Sequence, residues 1–103
     1  MWIFTNQGFV SAVEHRDNSE LLMVRARAAG HLEAVFPGCT VQKTMNADYR
    51  YRTVLSKAVV AAKAAELIKN IDYSNFKSSI TDGEYHDACL DVWRAMYQYQ
   101  ATQ

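Results

Sequence analysis

The chain has 103 residues, and its 11 Lys and Arg are matched by 11 Asp and Glu, a formal net charge of zero. That length predicts one domain over residues 1–103, and a composition half hydrophobic and only 21% charged excludes a disordered acidic or basic tail. Zero net charge speaks against a dedicated nucleic-acid binder, whose affinity comes from Lys and Arg neutralising phosphates, but it leaves room for a local basic patch. Two cysteines, Cys39 and Cys89, are too few for a disulfide framework. With no basic leader before a long apolar run, and no apolar stretch near the ~20 residues that cross a bilayer, the expectation is a reduced, cytoplasmic protein with no membrane role.

In chain order, the aromatic and β-branched run Trp2–Thr5, the turn chemistry of Asn6-Gln7-Gly8 and a second strand over Phe9–His15 predict a β-hairpin. Arg16–Glu20 is a polar turn. Leu22, Val24 and Ala26 then alternate with Met23, Arg25 and Arg27, the period of a half-buried strand. A short helix is expected over Ala28–Phe36, with Leu32, Val35 and Phe36 on one face and Pro37-Gly38 as its stop. Thr40–Thr44 reads as a brief strand, residues 45–48 as a turn, and Tyr49–Leu55 as a strand that puts Arg50 and Arg52 on one side and Tyr49, Tyr51, Thr53 and Leu55 on the other. Ser56 is a suitable N-cap for a helix whose Val60, Ala64, Leu67, Ile68 and Ile71 share a face. A short helical segment over Tyr73–Ile80 and a break at Thr81-Asp82-Gly83 precede a final helix. There Cys89, Leu90, Trp93, Met96 and Tyr97 form a stripe expected to dock on the core, opposite Asp87, Asp91, Arg94 and Gln98. The order β-β-β-α-β-β-α-α predicts an α+β protein: an antiparallel sheet of about five strands with helices on one face. From the third strand onward the cadence is partly ferredoxin-like.

Residues suited to catalysis are sparse. His86 and Cys89 stand i, i+3 on the last helix, the only close pairing of metal-ligand types, and His15, His31 and Cys39 are scattered. A cysteine-dependent enzyme would need Cys89 accessible and activated by His86, yet Cys89 falls on the apolar stripe. Asp87 and Asp91 lie one turn apart on the polar face beside Arg94. The four glycines are dispersed, so no phosphate-cradling loop exists. The expectation is a protein that is not an enzyme and uses no metal or cofactor.

Two groups of residues suit binding instead. Arg25 and Arg27, and Arg50 and Arg52, are two apart on strands and so share faces, with Lys43 nearby. Arginines beside Tyr49 and Tyr51 on an open sheet suit an acidic protein surface, a phosphate backbone or bases, although the signatures of RNA-recognition domains are absent. A solvated face laced with pairs from Glu14 or Asp48 accounts for the same residues. The aromatics Tyr85, Trp93, Tyr97 and Tyr99 gather in the last helix, where Tyr85 or Tyr99 could face a partner. The charge is also unevenly placed. Residues 1–65 hold eight basic and five acidic side chains, and residues 66–103 hold three and six, so a dipolar chain lies behind the neutral sum.

Several segments carry a resemblance as a set: Met1–Asn6 with Gly8–Ser11, Ala47–Arg52, Ile71–Lys77, and His86-Asp87-Ala88 leading to Val92-Trp93. Together they resemble a group of small, functionally uncharacterised bacterial proteins that also occur in phage and mobile-element sequence. The resemblance covers most of the chain and implies no activity, cofactor or catalytic residue. It implies a context in which small single-domain proteins bind a host macromolecule, anti-CRISPR proteins being one such class. The function expected is therefore that of a non-enzymatic interaction protein with a protein partner, through Arg25, Arg27, Arg50 and Arg52 or through Tyr85 and Tyr99. RNA or single-stranded DNA binding by the arginines is the alternative, and a homodimer is open because a short N-terminal edge strand can pair with a second copy.

Overall fold

The computed structural model describes residues 1–103 and is an α+β structure, about 39% helical and 24% strand. The chain divides into two compact units, Met1–Ile71 and Asp72–Gln103.

The first unit holds the whole sheet. Strands β1 (Trp2–Thr5), β2 (Gly8–Glu14) and β3 (Leu21–Ala26) form a meander, followed by helix α1 (His31–Val35), strands β4 (Gln42–Lys43) and β5 (Tyr51–Ser56), and helix α2 (Lys57–Lys69). All neighbours are antiparallel in the order β1-β2-β3-β5-β4. Because β5 inserts between β3 and β4, which run parallel to each other, β3-α1-β4 is a split β-α-β unit. The ferredoxin-like cadence read from the sequence therefore has its counterpart in strand pairing, with β2 completing the sheet beyond β3.

The first turn is fixed by one side chain. Thr5 Oγ1 donates to the carbonyl of Gly8 at 3.0 Å and accepts from the amides of Gln7 and Gly8 at 3.2 and 3.1 Å. Gly8 is required by packing, since a Cβ there would lie 2.8 Å from His31 Cγ and 3.1 Å from His31 Cα. The His31 ring in turn accepts the Phe9 amide at Nδ1, 3.1 Å away, which ties the start of α1 to the hairpin. That helix is shorter than the expected Ala28–Phe36. Gly30 sits at its N-cap with φ +87°, a left-handed conformation that residues 28–30 cannot continue as helix.

Strand periodicity sorts the sheet into two faces. Ile3, Val10, Ala12, Leu22, Val24, Ala26, Tyr51, Thr53 and Leu55 lie on one, and Leu32, Val35 and Phe36 of α1 and Val60 of α2 close a core over it. Ser56 caps α2 as expected, its Oγ accepting from Val59 N–H at 3.1 Å. The stripe predicted on α2 is only partly used. Val60 is buried and Leu67 packs against the core, but Ile68 is exposed, and so is Ile71, which lies beyond the end of the helix. Strand β5 begins at Tyr51, two residues later than expected, and β4 pairs only through Gln42 with Arg52 and Lys43 with Tyr51.

The second unit contains a 3₁₀ turn (Lys77–Ser79), shorter than the helical segment expected over 73–80, and α3 (Gly83–Ala101). Asp82 is the N-cap of α3, its carboxylate accepting from Tyr85 N–H at 2.9 Å. Within α3, Cys89 is buried and Tyr85, His86 and Leu90 are partly so, while every residue from Asp91 to Gln103 is exposed. The expectation that Trp93, Met96 and Tyr97 dock on the core is thus overturned: the apolar stripe continues along the helix for two turns after the burial ends.

Leu32 is wholly buried in the core cluster, so Leu32→Ala should cost about 2–5 kcal/mol of unfolding free energy by urea titration. Gly8→Ala should also destabilise, by about 1–3 kcal/mol, because His31 and the hairpin must separate. A His31→Ala background should recover part of that loss.

Candidate interaction surfaces

The face of the sheet that α1 and α2 leave uncovered is built from alternating residues of the same strands. One row across it runs Trp2, Ser11, Arg25, Arg52 and Gln42, each directly opposite the next. A flanking row is Val13, Met23 and Val54, and on the other side Phe4 pairs with Phe9. The two phenyl rings stack with centroids 4.4 Å apart, and Trp2 meets Phe9 edge-on at 6.0 Å while remaining 68% exposed.

Arg25 and Arg52 are a like-charged cross-strand pair, an arrangement unfavourable on its own. The segment preceding β5 compensates it. Tyr49, expected within the strand, instead lies before it and is 4% exposed beneath two guanidinium groups, with Arg25 Cζ 4.4 Å and Arg27 Cζ 4.1 Å from its ring centroid. Cations over an aromatic face are held by the ring quadrupole, more strongly when water is excluded. Arg27, just past the end of β3, donates to the Asp48 carbonyl at 2.9 Å. Arg52 donates from Nε to the Tyr49 carbonyl at 3.3 Å and pairs with the Asp48 carboxylate at 3.5 Å. Arg25 donates to Ser11 Oγ at 3.0 Å, whereas its buried Nε has no hydrogen-bond partner. The carboxylate of Glu14, the other expected partner for this face, is taken by Lys57 at 3.1 Å.

Of the four arginines singled out in the sequence, Arg25, Arg27 and Arg52 therefore converge on Tyr49, and Arg50 is exposed without an ion pair or side-chain hydrogen bond. Tyr49 is the residue that sequence reasoning misplaced. Strand alternation assigned it to the face opposite the arginines, and the irregular backbone before Tyr51 turned it toward them. A cleft of about 340 Å³ opens next to this cluster, lined by Val13, His15, Arg16, Met23, Arg25 and Arg52.

The second surface belongs to α3. Tyr85 is half-buried, and its phenol is hydrogen-bonded to the Cys89 sulfur one turn on; burial first, and this bond second, push its pKa well above the usual range. Cys89 is buried, and desolvation holds its thiol above the ordinary thiol value, with the Tyr85 bond opposing the shift only in part. His86 faces Asp87 instead, Nδ1 to Oδ1 at 3.1 Å. The geometry that would make Cys89 a nucleophile is thus not formed, since activation needs a lowered thiol pKa and access. No three His, Cys, Asp or Glu residues gather where they could hold a metal ion. Beyond Asp91, Trp93 and Tyr97 stack at 5.3 Å with an interplanar angle of 13°, and Lys77 Nζ lies 5.0 Å from the Trp93 centroid. Trp93, Met96 and Tyr97 are 49%, 58% and 60% exposed, and Val92 and Tyr99 are exposed with them. Tyr99 was read from the sequence as partner-facing. Trp93, Met96 and Tyr97 were read as core, and their apolar spacing alone could not reveal that nothing covers them.

Two outcomes follow from these contacts. Tyr49→Leu keeps the bulk but removes the π-face, so stability should fall by about 1–3 kcal/mol, with part of the loss recovered in high salt as Arg25–Arg52 repulsion is screened. The Cys39 thiol is also raised, by burial first and then by the Glu33 charge. For thiols raised in the folded state, the unfolded chain loses its protons first as pH increases. Their stabilising contribution is then whole at neutral pH and is lost as pH climbs past the ordinary thiol pKa toward the folded one. Urea midpoints measured across that alkaline range should decline, and the decline should be shallower in a Cys39→Ala/Cys89→Ala variant. No protein-family model, curated protein or solved structure matches the chain.

Proposed function

We propose that this chain is a non-enzymatic interaction protein that binds a protein partner through the second half of α3. The observation that carries the reading is the uncovered face of Val92, Trp93, Met96, Tyr97 and Tyr99 on a helix about 28 Å long. A contiguous exposed apolar patch marks an interaction surface, and Trp and Tyr in such a patch supply most of the binding energy at protein interfaces. The stacking of Trp93 on Tyr97 presents the two rings together, which lowers the entropy lost when a partner closes over them.

The partner's chemistry follows from what surrounds the patch. Glu84, Asp87 and Asp91 make the N-terminal half of the helix acidic, and residues 72–103 hold two basic and five acidic side chains. A groove with an apolar floor and a basic rim would receive the helix in the helix-in-groove mode. In the bacterial or phage setting that the sequence resemblance suggests, such a groove belongs to a cytoplasmic host protein whose action the helix blocks or redirects, as an anti-CRISPR protein would.

The test is binding of purified chain and variants to a partner captured from host lysate. Trp93→Ala and Tyr97→Ala should each weaken binding about 30-fold or more, as expected of aromatic anchors worth ~2 kcal/mol, with helix content by circular dichroism unchanged. Binding that survives both substitutions would place the interface elsewhere. Dissociation should quicken far more than association slows, whereas Asp87→Asn with Asp91→Asn should act chiefly on the association rate.

A further inference from the structure

The uncovered face of the sheet carries a second binding chemistry, independent of α3. We infer that the row Trp2–Ser11–Arg25–Arg52, with the exposed Arg50 two residues before Arg52 in the chain, is a site for single-stranded nucleic acid, in which guanidinium groups take phosphates and the Trp2 indole takes a base.

Among Arg25, Arg27, Arg50 and Arg52, only Arg52 has a carboxylate within ion-pair distance, the largely exposed Asp48 at 3.5 Å. Arg25 has Ser11 and the Tyr49 ring, Arg27 has the Asp48 carbonyl and the same ring, and the Arg50 side chain has neither hydrogen bond nor ion pair. Residues 1–71 hold nine basic and six acidic side chains, so this unit is positive although the chain is neutral. The acidic residues bordering the 340 Å³ cleft are already occupied, Glu14 by Lys57 at 3.1 Å and Asp17 by Arg16 at 3.8 Å. Arg25 and Arg52 both line the cleft and are both held at Tyr49, Arg25 over its ring and Arg52 at its carbonyl, and Arg25 has no carboxylate partner.

Trp2 is directly opposite Ser11, Ser11 opposite Arg25, and Arg25 opposite Arg52, so the residues that bear the indole and the guanidinium groups stand in one row that crosses three strand spacings, roughly 14 Å. The indole is 68% exposed and meets Phe9 edge-on, which leaves a π-face open to solvent. A positive track flanked by an aromatic is the means by which proteins hold single strands without reading sequence, phosphates on the cations and bases on the rings. Duplex DNA could satisfy the arginines but has no unstacked base for Trp2. An acidic peptide could also satisfy the arginines, yet it gives the indole no matching role.

The experiment is fluorescence anisotropy with a labelled oligothymidylate of about twelve nucleotides, titrated with the full chain at low salt and then across a salt series. Binding is expected, with log K falling on log salt at a slope near −2, since each phosphate neutralised on a single strand contributes about −0.7 and the site counts three arginines, Arg25 and Arg52 of the row and Arg50. Trp2→Ala should weaken binding roughly 5- to 100-fold with little change in slope, the loss of one stacked base. Arg50→Glu, at an exposed residue with no partner to lose, should weaken binding and make the slope shallower. Trp93→Ala should leave oligonucleotide binding unchanged, which keeps this site distinct from the α3 interface. Absence of binding at low salt overturns the inference. So does binding indifferent to Trp2→Ala, duplex binding as tight as single-strand binding, or equal competition by polyglutamate, the last marking the row as a seat for acidic protein.

Discussion

The pairing of β3 with β5 is the constraint on which the rest of this structure depends. Six residues of each strand run in antiparallel register, from Leu21 opposite Ser56 to Ala26 opposite Tyr51, although about thirty residues separate them in the chain. Because side chains alternate strictly, this one register decides both faces at once. It brings Val24 over Thr53 and Leu22 beside Leu55 in the core, and it sets Arg25 against Arg52 on the other side. A slip of one residue would bury the arginines and expose the valine. The hydrophobic face therefore enforces a like-charge contact, and the protein accommodates it with Tyr49 and Asp48, delivered by the loop that leads into β5.

That accommodation gives the open face its character. A guanidinium satisfied by a carboxylate is electrically finished, whereas one held against an aromatic ring or a backbone carbonyl keeps its charge available. Arg25 and Arg27 are of the second kind, so the device that makes the sheet tolerable also leaves a fixed positive row on its surface. On α3 the polarity is reversed. There an acidic first half and an aromatic second half share one helix, and its buried section ends at Leu90. The neutral sum of the whole chain conceals two units of opposite charge, one carrying an excess of cations and the other an excess of anions.

The thiol and imidazole of α3 are engaged with their neighbours. The chain's buried cysteine is bonded to Tyr85 and pushed toward the protonated thiol, and His86, the imidazole nearest in sequence, is turned to Asp87. The same i, i+3 and i, i+4 spacings that suggest a site on a helical wheel are here used for packing and for satisfying a phenol. Spacing along a helix states which residues are neighbours; only the surroundings state whether the neighbours are wet, charged or enclosed.

Much of the fold was legible because it rests on local chemistry. The turn at Asn6-Gln7-Gly8, the alternation of Leu22, Val24 and Ala26, the Ser56 cap and the burial of Leu32, Val35 and Phe36 all follow from propensities that act over a few residues. The split β-α-β cadence followed from element order. By itself the sequence determined the α+β class, the hairpin, the positions of the two longer helices and the candidacy of the arginines, because strand and helix periods are imposed by backbone geometry. Only the tertiary structure decided that Tyr49 turns beneath Arg25 and Arg27, that Arg25 stands against Arg52 with no carboxylate of its own, and that Trp93, Met96 and Tyr97 are exposed where their stripe promised a core. An apolar period says which side of an element avoids water, but whether anything arrives to cover that side depends on contacts between residues far apart in the chain.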